Sequence, residues 1–177
     1  MPTDTKLHKA SHEGDLNQIK ALIESGTNEI NAPGASDRRP LHRAAGADHL
    51  EVCQILIANG AVVDQADRTG KTPLHWACIS GHTKIVSYLI ESGADVLAPN
   101  KSKMLPLHFV AENGKDDVGR MIIDNAGDKK IEMFHSQNSD GKTAHQLAKE
   151  GKKKEFMKVL KELGDPNAKG GGGCVIL

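Results

Sequence analysis

Aromatic side chains are nearly missing from this chain, which has one Trp, one Tyr and three Phe in 177 residues. A core with so few rings must be built from Leu, Ile, Val and Ala, the small residues that let helix backbones approach closely. No charge sign is in excess. Lys plus Arg and Asp plus Glu number 23 each, so there is no global basic field to hold nucleic acid. Long apolar runs are absent too, and no stretch approaches the ~18 residues of a membrane span. The opening MPTDTKLHKA carries charges but lacks the apolar region of a secretory signal. The three cysteines, Cys53, Cys78 and Cys174, cannot all pair within the chain. These absences together predict a reducing, cytoplasmic setting. G-x-S-x-G and H-E-x-x-H do not occur. The run Gly170 to Gly173 follows no strand and opens no helix, so it reads as a linker rather than a phosphate loop. The chain is therefore expected to be non-enzymatic and free of cofactors.

What is present is a repeat. Pro40-Leu41-His42, Pro73-Leu74-His75 and Pro106-Leu107-His108 recur at a step of 33 residues. Leu7-His8 lies 34 residues before Leu41-His42, and Thr143-Ala144-His145-Gln146 starts 38 residues after Leu105. Such a period predicts a solenoid of five units with one insertion, Asp128 to Phe134, between the fourth and fifth. The expected units are about 4–31, 34–64, 67–97, 100–127 and 138–163, in a domain over 1–163. Residues 164–177 are expected to form a flexible Gly-rich tail.

The clearest unit runs from Asp67-Arg68-Thr69-Gly70-Lys71-Thr72-Pro73-Leu74-His75-Trp76-Ala77 through Gly81, Ile85-Val86, Leu89-Ile90 and Gly93. Thr72 is placed to cap a first helix through its hydroxyl, and Pro73 fits the first helical position. Gly81 suits a left-handed helix end. Ile85, Val86, Leu89 and Ile90 make one apolar stripe of a second helix. Asp67 and Gly70 suit the turn between units. Asp48 replaces the usual glycine at a tolerable cost, Leu105 replaces the usual threonine, and repeat five looks shortened by one residue before Gly151. Over residues 4 to 163 this pattern resembles the ankyrin-repeat family. That resemblance implies an all-α repeat fold: an ankyrin solenoid of helix-turn-helix units joined by β-turn or hairpin loops. It also implies that the imidazoles of His42, His75 and His108 brace the turns by hydrogen bonds. No His or Cys pair has zinc-like spacing, so a metal site is not expected.

The resemblance further implies a binding face made of the turn tips and the first helices, gripping another protein. Carried onto this chain, the candidate partner-binding residues are Arg38, Arg43, Arg68, Lys71, Trp76, Ile79, Lys101, Lys103, Met104, Phe109 and Glu112. An apolar, aromatic centre with a basic rim suits a protein partner with acidic and apolar features. The unbound chain is expected to be a monomer. An alternative is that Trp76 and Phe109 are packing residues and the lysine tips simply solvated.

Cys174-Val175-Ile176-Leu177 resembles a CaaX box, with leucine favouring geranylgeranyl. This implies a prenyltransferase acting on Cys174, trimming, carboxyl methylation and association with a cytosolic membrane leaflet. One prenyl chain binds only reversibly. Lys152, Lys153, Lys154, Lys158 and Lys161 are candidates for a second signal, although Glu150, Glu155 and Glu162 dilute them. Other readings are a PDZ-type ligand at Val175-Ile176-Leu177, and a soluble assembly chaperone or inhibitor without functional lipid.

Overall fold

In the computed structural model, residues 2–26 and 29–169 are described. Among them there are helices and turns and no strand. The first helices of the units are α1 (Lys6–Glu13), α3 (Pro40–Gly46), α5 (Pro73–Ser80), α7 (Pro106–Asn113) and, after an extra helix α9 (Lys130–His135), α10 (Ala144–Glu150). The second helices are α2 (Leu16–Glu24), α4 (Leu50–Ala58), α6 (Thr83–Glu91), α8 (Asp116–Asp124) and α11 (Lys154–Glu162). First helices pack on first helices in the order α1, α3, α5, α7, α10, and second helices follow as α2, α4, α6, α8, α11. The result is an all-α ankyrin solenoid of two layers. Its core is mostly aliphatic and small: Ala10, Ala44, Ala45, Ala77, Cys78, Ala111 and Ala148 are all buried between the layers with Leu41, Leu74 and Leu107.

Each unit turns between its helices through a left-handed residue. Gly14, Gly81 and Gly114 do so, and Asp48 adopts φ 66 in the same place. Repeat five corrects the expected phase. Gly151 has φ −74 and is not left-handed, whereas Lys152 has φ 53. The unit is therefore full length, with lysine where glycine is easiest.

The cap also differs from expectation. Thr72 does not cap α5 by accepting a backbone proton. Its hydroxyl lies 2.9 Å from His75 Nδ1, which also accepts from the Thr72 amide at 3.1 Å. The same imidazole acceptor serves the amides of Thr5, Arg39 and Leu105 through His8, His42 and His108. That explains why Arg39 and Leu105 are tolerated where threonine is usual. In repeat one Thr5 holds the cap position. In repeat five Gln146 takes over the histidine's place, and there Thr143 does cap, in a reciprocal box.

The insertion is not merely a longer connection. It folds into a 3₁₀ turn (Gly127–Lys129) and α9, and buries Met133 and Phe134 fully. The start of the expected tail is also part of the body. Asp165 is 1% exposed, Pro166–Lys169 makes a 3₁₀ turn against α11, and Asn167 Nδ2 donates to the Phe134 carbonyl at 3.1 Å.

Candidate partner-binding face

The tips precede the first helices. Each is a loop closed by one bond, from the amides of Gly34, Asp67, Asn100 and Asn138 to the carbonyls of Arg38, Lys71, Met104 and Lys142, at 2.8–3.0 Å. Adjacent tips are tied by backbone bonds. Arg68 N–H donates to Ser36 O, Lys101 N–H to Thr69 O and Ser139 N–H to Ser102 O, at 2.9–3.0 Å. Gly70 belongs to this joint: at φ +83, a Cβ there would lie 2.7 Å from the Lys101 nitrogen. Asp67 organises the central tip. Its Oδ1 accepts from the Thr69 amide, the Thr69 hydroxyl and the Lys71 amide, and its Oδ2 accepts from Trp76 Nε1 at 3.1 Å. Burial alone would raise this carboxyl's pKa, but those donors overcome burial and hold it below the usual range. Gly34, with no side chain, cannot organise its tip in this way. Asp4 does so from the previous unit, accepting from the Ala35 amide at 2.8 Å.

Histidines join each unit to the next. His8, His42, His75 and His108 place Nε2 at 2.9–3.1 Å from the carbonyls of Arg38, Lys71, Met104 and Ser136. A carbonyl only accepts, so Nε2 carries the proton and Nδ1 is the bare acceptor for the cap amide. Each ring is neutral by construction. Burial favours that state and lowers the pKa of all four, to about 4 for His42 and His75. A second set of bonds runs from His49 to the His12 carbonyl and from His82 to the Gly46 carbonyl. Among the described residues no three His, Cys, Asp or Glu gather as a metal site would require. Cys53 and Cys78 are buried. Burial pushes the Cys53 thiol up to about 12 and raises Cys78 as well.

On this scaffold four expected residues converge. The Arg38 guanidinium stacks 4.0 Å from the Trp76 ring centre, and Lys71 Nζ lies 5.5 Å from both the Trp76 and Phe109 rings. Trp76 is half-buried. Phe109 was expected to present its ring to a partner, but it is 8% exposed. It sits edge-on to His75 at 5.6 Å and under Lys71. The centre is thus a half-buried Trp76 with two half-buried cations, and Phe109 supports it from below. Arg43 pairs with Asp4 at 2.6 Å, and Arg68 with Asp37 at 3.3 Å. Lys101, Lys103 and Glu112 are exposed, while Ile79 and Met104 are half-buried. Lys103 holds φ 55 at its tip. Sequence reasoning missed Asp4 and Asp37 as the counter-charges of these arginines, and Asp67 as that of Arg38, 3.8 Å away. A carboxylate at a tip of the unit before or after was the available signal. Cys174 and the rest of the CaaX-like ending lie outside the described residues. Among those described, no helix is long and apolar enough to cross a membrane.

Comparison with known proteins agrees with this architecture. The family model described as "Ankyrin repeats (3 copies)" matches residues 7–100, more than half of the chain. The human protein named neurogenic locus notch homolog protein 4 is 37% identical over 70 residues, which is 39% of this chain and 3% of that much longer protein. The chain thus spans a small fraction of the length of this relative. With paired helices in register, histidine-braced turns and the matching family model, the chain belongs to the ankyrin-repeat family, whose repeats are protein–protein interaction modules.

Proposed function

We propose that this chain is a non-enzymatic adaptor that grips a partner protein along the face of tips and first helices and is held reversibly to a membrane by a geranylgeranyl group on Cys174. One observation carries the binding half. Trp76 is hydrogen-bonded to Asp67 and flanked by Arg38 and Lys71, while Arg68, Lys101 and Lys103 are exposed on the same and the next tip. A fixed, partly exposed indole within a cationic rim is the composition of an interface anchor. The partner segment it suits carries carboxylates beside an apolar side chain. Arg43, Ile79, Met104 and Glu112 extend the same face, and Phe109 backs it. Reversing the charge of Arg68, Lys101 and Lys103 together is expected to abolish capture of the partner and leave the fold intact by circular dichroism. Capture that survives this reversal removes the face from the account.

The tethering half rests on the resemblance of Cys174-Val175-Ile176-Leu177 to a CaaX box. Intact mass of the chain expressed in prenylating cells tests it. A geranylgeranyl increment absent from C174S is expected, with loss of the last three residues and carboxyl methylation. An unmodified mass leaves a soluble interaction module, an assembly chaperone or inhibitor, as the function.

A further inference from the structure

The last helix pair carries a charge pattern that composition conceals. Five lysines of the terminal unit, Lys149, Lys152, Lys154, Lys158 and Lys161, are exposed, and none makes an ion pair or side-chain hydrogen bond among the described residues. Lys153 is different. It is half-buried, and its stem lies over Gly114, so it packs. The acids that dilute these lysines in sequence are engaged first by other partners, although Glu162 also feels Lys158 one turn before it. Glu150 is taken by Lys142 at 2.7 Å, and Glu162 is taken by Arg120 of α8. Glu155 lies beside Asp116 of α8, whose carboxyl is raised by burial first and by Glu155 second. Helical phase explains the sorting. Phe156, Val159 and Leu160 form the buried face of α11. Lys154, Lys158 and Lys161 recur at i, i+4 and i+7 on the opposite crest. Glu155 and Glu162, seven apart, share the flank toward α8.

We infer that the lysine crest of α11, with Lys149 and Lys152, is a docking surface for the anionic lipid headgroups of a bilayer. Two observations choose this occupant. Lys154, Lys158 and Lys161 form a stripe of exposed, flexible side chains of one sign, which suits a fluid sheet of negative charge better than a shaped protein surface. The described chain also ends at Pro166–Lys169, packed on α11. Cys174 is five residues beyond Lys169, so covalent geometry limits it to about 18 Å from that point. Any lipid on Cys174 therefore brings the Pro166–Lys169 turn, which packs on α11, to within roughly two Debye lengths of the bilayer. The inference rests on the tethering reading only for that second argument, because the crest is present whether or not Cys174 is modified. A surface contact of this kind supplies the second signal that a single prenyl chain lacks.

The test uses the full chain, unmodified and geranylgeranylated at Cys174, with sedimenting vesicles of phosphatidylcholine alone or with phosphatidylserine. Expected for the unmodified chain is weak partition to the phosphatidylserine vesicles at low salt only. K154E/K158E/K161E should lower that partition by at least about tenfold. K9E/K20E/K84E, the same change in net charge on exposed lysines of α1, α2 and α6, should leave it within about twofold. In the lipidated chain the crest variant should lose the preference for phosphatidylserine and keep its binding to neutral vesicles. Equal losses in the two triple variants, no partition of the unmodified chain at low salt, or crest reversal without effect each overturn the inference. The last result leaves an acidic protein as the crest's partner. Failure of the tether reads differently, because it removes the lipid-dependent binding to neutral vesicles and leaves the unmodified chain's behaviour unchanged.

Discussion

Replacing Gly119 by alanine sets two opposing effects against each other at one buried position. Gly119 lies inside α8, where Gly→Ala ordinarily gains about 1 kcal/mol of helix propensity. Here the added Cβ would sit 2.2 Å from Cε2 of Phe156, and 3.1 and 3.2 Å from the next two ring atoms. Phe156 is 0% exposed, so its ring cannot swing into solvent. Either α8 and α11 must separate or the ring must leave its rotamer. Overpacking of this kind costs about 1–3 kcal/mol and more where the contact is this short, so G119A should be destabilised by a net ~2 kcal/mol. That corresponds to a fall in melting temperature of roughly 4–8 °C for a chain of this size. Urea and thermal unfolding followed by far-UV circular dichroism measure it. Shortening the ring supplies the control. G119A in an F156L background should cost little or become favourable, giving a coupling of at least about 1 kcal/mol in the double-mutant cycle. A G119A protein more stable than its parent, or strictly additive effects, would refute the argument that Gly119 exists to admit Phe156.

Other perturbations have equally definite outcomes. His42 and His75 have folded pKa values of about 4 against an ordinary value near 6.5. The unfolded chain therefore binds more protons between these values. Stability should be full above pH ~6.5 and fall as pH drops toward 4, by up to roughly 3 kcal/mol for each ring. A urea midpoint unchanged between pH 7.5 and 5, above the carboxylate range, would contradict the neutral histidine ladder. Gly70→Ala meets both a positive φ and a Cβ contact at 2.7 Å with the Lys101 nitrogen, whereas Gly141→Ala meets only the positive φ in open space. Chemical denaturation should show the first costing about 2 kcal/mol more than the second. Asp67→Ala removes the acceptor of four donors and should cost about 3 kcal/mol. It should also change the emission of Trp76, the sole tryptophan, whose indole loses its partner; unchanged fluorescence would contradict the geometry.

Most of the fold was legible because each unit repeats the same local chemistry in phase. Proline after the cap position marks the three central first helices, the Leu-His pair marks four units, and a left-handed residue nine positions after the cap marks the turn in all five, with Asp48 filling its place as its chemistry allows. Misreadings occurred where one position served two needs. Gly151 looked like the left-handed residue, but the turn needs that conformation one residue later, and Lys152 takes it. The 128–134 insertion is too short for a helical period to emerge, yet Met133 and Phe134 find a buried site that only the stacked body creates. Thr72 carries the usual cap signature, but the imidazole three residues on is the better acceptor and also reaches the next unit. The candidate face was legible in its tips and less so at its centre. Position 109 is equivalent to 76, yet Phe109 has no polar atom to hold it at the surface and sinks beneath Lys71, while Trp76 keeps one edge on Asp67. The carboxylates that answer Arg43 and Arg68 come from the preceding unit, 39 and 31 residues away, a separation at which pattern alone does not pair charges.

Site-specific photo-crosslinking during partner capture tests the central claim most directly. A benzophenone residue at 68, 101 or 103, on adjacent tips, should become covalently joined to the captured protein, and the same residue at 20 or 84, on the second helices, should not. Crosslinks that form from the second helices and not from the tips would contradict the account.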